Sequence, residues 1–145
     1  MVGIVLTGHG RFAAGLKSAL DLIAGPQEAF KVVNFEHEVD ELEHDLREAL
    51  DALKDCDGTI VFADLAGGSP FKTAVLISQE YENVEVIAGT NLPMVCEISL
   101  ARTFGMDLQS LVNTALSVGP EQITRFDAST LAADTEEPDD FSDGI

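Results

Sequence analysis

Gly3-Ile4-Val5-Leu6-Thr7-Gly8-His9-Gly10 is the stretch whose reading decides the fold. Its apolar run has the composition of a strand buried on both faces, and the glycines around His9 end that strand where backbone can come close to a ligand. A histidine at the carboxyl end of such a strand is placed to react. A second junction has the same design: Thr59-Ile60-Val61-Phe62-Ala63-Asp64, followed by Leu65-Ala66-Gly67-Gly68-Ser69-Pro70. Taken singly, His9 reads as a turn residue, Asp64 as a turn former or cap, and Gly67-Gly68-Ser69-Pro70 as a tight turn. Their arrival together at strand ends points to one site.

Outward from these junctions, strand-length apolar runs at 2–6, 31–35, 59–63 and 84–88 alternate with helical patterns. Strand-helix alternation implies right-handed crossovers and a parallel sheet covered on both faces, so the fold class is α/β. The first helix carries Phe12, Leu16, Leu20 and Ile23 on one side and stops at Gly25-Pro26. The second has an apolar stripe of Val39, Leu42, Leu46, Leu50 and Leu53 opposite an acidic face. Ser69 as N-cap and Pro70 open the third, Asn91-Leu92-Pro93-Met94 opens the fourth, and the fifth runs from Asp107 with Leu108, Leu111, Val112, Ala115 and Leu116 inward. After Gly119-Pro120, residues 122–126 read as a last short strand, either an antiparallel edge strand or an addition to a partner's sheet.

The 145 residues, 46% of them hydrophobic, suit one domain over residues 1–127 followed by an acidic, flexible tail at 128–145. No stretch approaches the roughly 20 apolar residues of a membrane span, and no basic-then-apolar leader precedes the first strand, so a soluble cytoplasmic protein is expected. Cys56 and Cys96 lack metal-site spacing and read as free, buried thiols. The formal charge of −18, from 26 acidic and 8 basic residues, repels nucleic acid and anionic membranes. It fits a salty cytoplasm, a basic partner or simple solubility.

With strand order 2-1-3-4, the ends of the first and third strands straddle the point where the order reverses, and His9 meets Asp64. A carboxylate on one ring nitrogen fixes the tautomer and leaves the other nitrogen's lone pair free to attack, the arrangement of a phosphoryl-carrying histidine. The helix starting at Ser69-Pro70-Phe71 supplies N–H donors for the anion, and Ser69 Oγ either caps that helix or bonds the phosphate. No cofactor and no metal are called for.

These residues resemble the enzyme IIA component of the mannose-type sugar phosphotransferase system. The resemblance rests on Gly8-His9-Gly10, on Asp64 with Gly67-Gly68-Ser69-Pro70, and on Ala88-Gly89-Thr90-Asn91-Leu92-Pro93-Met94 with Glu97 beyond, in that order across about the first 125 residues. It implies that His9 takes a phosphoryl group from the phosphocarrier protein HPr and passes it to a IIB component, with the IIC and IID membrane components served indirectly. It implies that Asp64 orients His9, that Ser69 contacts the phosphoryl group, and that Thr7, Asn91 and glycines Gly8, Gly10, Gly67 and Gly68 shape the pocket. It also implies a homodimer exchanging the final strand. Lys72 departs from the small polar residue expected there, and with no IIB domain following, the acceptor is expected to be a separate chain.

Other readings are weaker. Ser69 as a hydrolase nucleophile lacks the Gly-x-Ser-x-Gly elbow, and His37 with His44 lacks the i, i+4 spacing of a helical zinc site. A regulatory module read through its phosphorylation state, or a dihydroxyacetone-kinase phosphocarrier subunit, keeps the histidine and changes the output.

Overall fold

The structure, a computed structural model, describes residues 1–133. Strands β1 (Gly3–His9), β2 (Phe30–Phe35), β3 (Thr59–Ala63) and β4 (Val84–Ile87) form one sheet in the order β2-β1-β3-β4, every pair parallel. The expected order 2-1-3-4 is therefore found. Side chains alternate across it: Ile4, Leu6, Ile60 and Phe62 meet α1 (Phe12–Ala24), α4 (Leu92–Ala101) and α5 (Leu108–Glu121) on one face. Val5, Val33 and Val61 meet α2 (Val39–Ala52) and α3 (Ser69–Ser78) on the other. Both central strands are buried on both sides, which is why they read as unbroken apolar runs.

Register carries the site. β1 outruns β3, so that Thr7 pairs with Ala63 while Gly8 and His9 extend beyond it, alongside Asn34 and Phe35 of β2. His9 is thus the last residue of the strand and not a loop residue. Gly10 N–H donates to Phe35 O at 2.7 Å, and Asn34 Oδ1 accepts from Ala14 N–H at 3.2 Å, which supplies an acceptor to the first turn of α1.

Several expectations need correction. α5 does not stop at Gly119-Pro120 but runs on to Glu121. Proline in a last turn forfeits one hydrogen bond, and here tertiary contacts hold the turn: Asn91 Nδ2 donates to Gly119 O at 2.9 Å, and Gly119 lies so close to Met94 that a Cβ would fall 2.5 Å from its Cε. Residues 122–126 accordingly form no strand with any described residue, and Ile123 and Phe126 are largely exposed. Leu116 is exposed too, because it falls just outside the arc that buries Leu111, Val112, Ala115 and Gly119. Ile23 and Val39, at helix ends, are partly exposed. The cysteines are free but only half-buried.

The expected tail begins with a short helix, α6 (Ala128–Ala133); its remainder lies outside the described residues. No helix among the described residues is long and apolar enough to cross a membrane.

Candidate functional site

Asp64 follows directly on β3 and His9 closes β1, so parallel pairing of the two strands brings them together. The Asp64 carboxylate takes three hydrogen bonds: Oδ2 accepts from His9 N–H at 2.9 Å and faces His9 Nδ1 at 2.7 Å, while Oδ1 accepts from Leu65 N–H at 2.9 Å. Burial of this carboxyl raises its pKa, but the bonds from the His9 backbone, the His9 ring and the Leu65 amide together outweigh burial and hold it below the usual carboxylate value. That balance is reasonable, since each hydrogen bond to a charged acceptor contributes about 1.5–3 kcal/mol. An ionised Asp64 can only accept, so Nδ1 carries the ring proton and Nε2 keeps its lone pair. The His9 side chain is 47% exposed against 10% for Asp64, so the imidazole is open to solvent while its anchor is largely enclosed.

Two glycines fit against this pair. A Cβ on Gly68 would lie 2.2 Å from His9 Cε1 and 2.8 Å from Nε2. Gly68 has φ −100°, which any residue adopts, so glycine is needed there for space alone. A Cβ on Gly8 would lie 2.6 Å from Phe12 Cδ1 and 3.0 Å from Asp64 Cβ. Gly10 and Gly67 have open space around them.

Gly68 is also the N-cap of α3, which brings the start of that helix beside the Cε1–Nε2 side of the ring. Ser69 is the first helical residue and not the cap, and its side chain makes no cap hydrogen bond. With Pro70 carrying no N–H, the amides of Ser69 and Phe71 have no carbonyl partner within the helix and remain as donors. Among the described residues no hydrogen bond joins Ser69 to His9, and the His9 ring bonds only Asp64.

The remaining candidates lie deeper. Thr7 is fully buried, with an Oγ1 that lacks a hydrogen-bond partner. Asn91 caps α4, accepting from Met94 N–H at 3.0 Å, and its amide nitrogen is engaged by Gly119 O. Lys72 is exposed on α3 and in no ion pair among the described residues; nothing in the structure explains it. Phe35 is the site residue that the sequence reading missed. Its ring meets His9 edge-on, with centroids 5.8 Å apart at 63°. The signal was the pairing itself, since the last residue of β2 sits beside the last residue of β1.

A cavity of about 620 Å³ lies between β2 and α2 and is lined in part by Glu36, Glu41, Asp45 and Glu48. His44, Asp45 and Glu48 have ligand atoms within 4.8 Å of one another on exposed helix surface, and His37 is not among them. A histidine side chain this exposed suits delivery from a protein partner more than capture of a small molecule.

Residues 3–116 match the sequence profile of the EIIA-man family, described as the PTS system fructose IIA component. The chain belongs to this family. It is 30% identical over 132 residues to the mannose-specific EIIAB component of Escherichia coli K12, covering 90% of this chain and 41% of that protein. It therefore spans less than half the length of that curated relative. Over 115 residues it is 26% identical to the fructose-specific EIIA component of Bacillus subtilis, 78% of each chain. The crystal structure of phosphotransferase system component EIIA from Streptococcus agalactiae superposes with a TM-score of 0.79 at 33% identity, over 90% of this chain and 99% of that one.

Two predictions follow from the geometry of the pair. Gly68→Ala, which drives a methyl group into the imidazole, should fold normally yet lose about a hundredfold of any reaction at His9, the scale of an ångström's misplacement; circular dichroism with single-turnover kinetics checks both halves. Because the folded state holds Asp64 below its unfolded value, its stabilisation is present above about pH 4 and is lost as pH falls through the folded pKa. The stability gap between wild type and Asp64→Asn, measured by urea unfolding, should therefore be widest at neutral pH and close on acidification.

Proposed function

We propose that this chain is the IIA phosphocarrier of a sugar phosphotransferase system, in which His9 accepts a phosphoryl group from phospho-HPr and donates it to a IIB component. The observation that carries this reading is the Asp64 carboxylate on His9 Nδ1 with the start of α3 beside Nε2. The lone pair on Nε2 attacks phosphorus, the bond from phosphorus to the donor breaks, and its electron pair leaves with the donor. Asp64 stabilises the positive charge that develops on the ring and keeps the Nδ1 proton in place. The free amides at the start of α3 and Ser69 Oγ receive the phosphoryl oxygens, aided by the helix dipole. Transfer to IIB is the same displacement with the acceptor as nucleophile, so the carrier returns unchanged.

In this reading Thr7, Gly8, Gly10, Gly67, Gly68 and Asn91 act on the shape of the site. Gly8 and Gly68 leave room for the pair, Asn91 fixes the loop ahead of α4, and Thr7 lies beneath the strand end. Residues 1–127 make up the carrier unit. The IIC and IID membrane components are reached through IIB.

We further infer a homodimer in which residues 122–126 pair with the open edge of a second copy's β4. Supporting it, β4 has one neighbour in the sheet among the described residues, and Leu116, Ile123 and Phe126 leave apolar surface exposed on and after α5. Sedimentation should show a dimer for the whole chain and a monomer for one ending at residue 121; a monomeric whole chain contradicts the exchange.

The transfer itself is tested with enzyme I, HPr and phosphoenolpyruvate, followed by intact mass. One added phosphoryl group, acid-labile and absent in His9→Ala, is the expected outcome. An unlabelled wild type, with HPr shown to be phosphorylated in the same tube, would overturn the proposal.

A further inference from the structure

At the outer side of the sheet, β2 has β1 as its one neighbour among the described residues. In a parallel pair, alternate residues of a strand turn both main-chain groups to the same side. Ala29 O accepts from Ile4 N–H at 3.0 Å and Phe35 O from Gly10 N–H at 2.7 Å, so the odd-numbered residues of β2 face β1. The N–H and C=O of Val32 and Asn34 therefore point away from the sheet, and Val32 is 37% exposed. An edge of this kind is ready to pair with another strand.

That edge is one side of the groove of about 620 Å³ between β2 and α2. The facing wall is a stripe of α2 on which Glu41, Asp45 and Glu48 recur at helical spacing, continued by the small apolar Ala49 and Ala52. Glu41 and Asp45 are in no ion pair among the described residues, Glu48 faces His44 at 3.6 Å, and Glu36 meets Arg11 at 3.8 Å. Lys31 and His37 line the groove as well, so one lysine ammonium stands among four carboxylates. A lysine on an edge strand already discourages pairing with a like chain; the acidic wall adds a preference for the sign of what enters. Asn34 and Glu36, on either side of Phe35, carry the groove to the ring that meets His9, so its end lies beside the reactive histidine.

We propose that this groove docks an extended, lysine- or arginine-rich segment of a partner protein, which adds to the sheet alongside β2. Its main chain pairs with Val32 and Asn34, and every second side chain carries a cation towards Glu41, Asp45 and Glu48. The six residues of β2 span about 20 Å, which sets the length of segment that fits. Charge decides between occupants. A second copy brings the same acidic stripe and a net charge of −18, and residues 134–145 of this chain are acidic with no lysine or arginine. Both are repelled where a basic strand is drawn in.

The test titrates the full chain, labelled with nitrogen-15, with the peptide acetyl-Val-Lys-Val-Lys-Val-Lys-amide at fixed pH and salt. The readout is the rate at which the Val32 and Asn34 amide protons exchange with water, which is local to the edge and independent of any phosphoryl transfer. At saturation both rates should fall about tenfold or more, as amides gaining a strand partner do. The same peptide with every amide N-methylated keeps its charge and loses its donors, so it should bind about tenfold more weakly. Glu41→Gln with Glu48→Gln, both exposed on α2, should weaken the unmethylated peptide about fivefold, the scale of two surface charge pairs. No binding at about 1 mM peptide, or unchanged exchange at Val32 and Asn34 in the saturated protein, overturns the proposal. So does a methylated peptide, or spermine, that binds the groove as tightly, or a double variant that binds as well as wild type.

Discussion

The 2.7 Å contact between Asp64 Oδ2 and His9 Nδ1 is the interaction on which the rest of the site depends. It sets which ring nitrogen is protonated, and it does so with a carboxylate already anchored by the main-chain amides of His9 and Leu65. Because one oxygen takes both the amide and the ring of the same residue, the imidazole cannot swing away without also losing its fixed acceptor. Gly68 closes the other side of the ring. The histidine is therefore clamped between a carboxylate and a helix start, and Nε2 is the ring nitrogen left without a hydrogen bond among the described residues.

The sheet exists to make that contact possible. Parallel pairing delivers the carboxyl ends of β1 and β3 to one edge, and the crossover to β2 on one side and β4 on the other opens a shelf there. Fully apolar central strands, sandwiched by helices on both faces, hold these ends in register. The same arrangement leaves the amino edge to be sealed by other means, and Arg102 does this by tying the carbonyls that precede β1 and β2 to the end of α4.

Much of this is legible in the residues. Unbroken apolar runs between amphipathic stretches mark a doubly covered parallel sheet, and two strand ends rich in glycine mark the edge where chemistry collects. What the chain alone conceals depends on partners distant in sequence. Phe35 reaches His9 only through the register of β2 on β1. Gly119-Pro120 looks like a stop, yet Asn91 and Met94 keep the turn helical. Nothing in the sequence marks Arg102 for burial, which only the convergence of Val2, Gln27, Glu28 and Ala29 upon it explains. Ser69 looks like a helix cap, but Gly68 takes that place because the chain must pass close to the imidazole.

The central claim is that Asp64 decides which nitrogen reacts. Long-range nitrogen-15 correlation spectra of the phosphorylated protein report the substituted atom directly. The account predicts phosphorus on Nε2 of His9 with the proton retained on Nδ1. Phosphorus on Nδ1 would contradict it, since that nitrogen would then have abandoned the carboxylate around which the site is built.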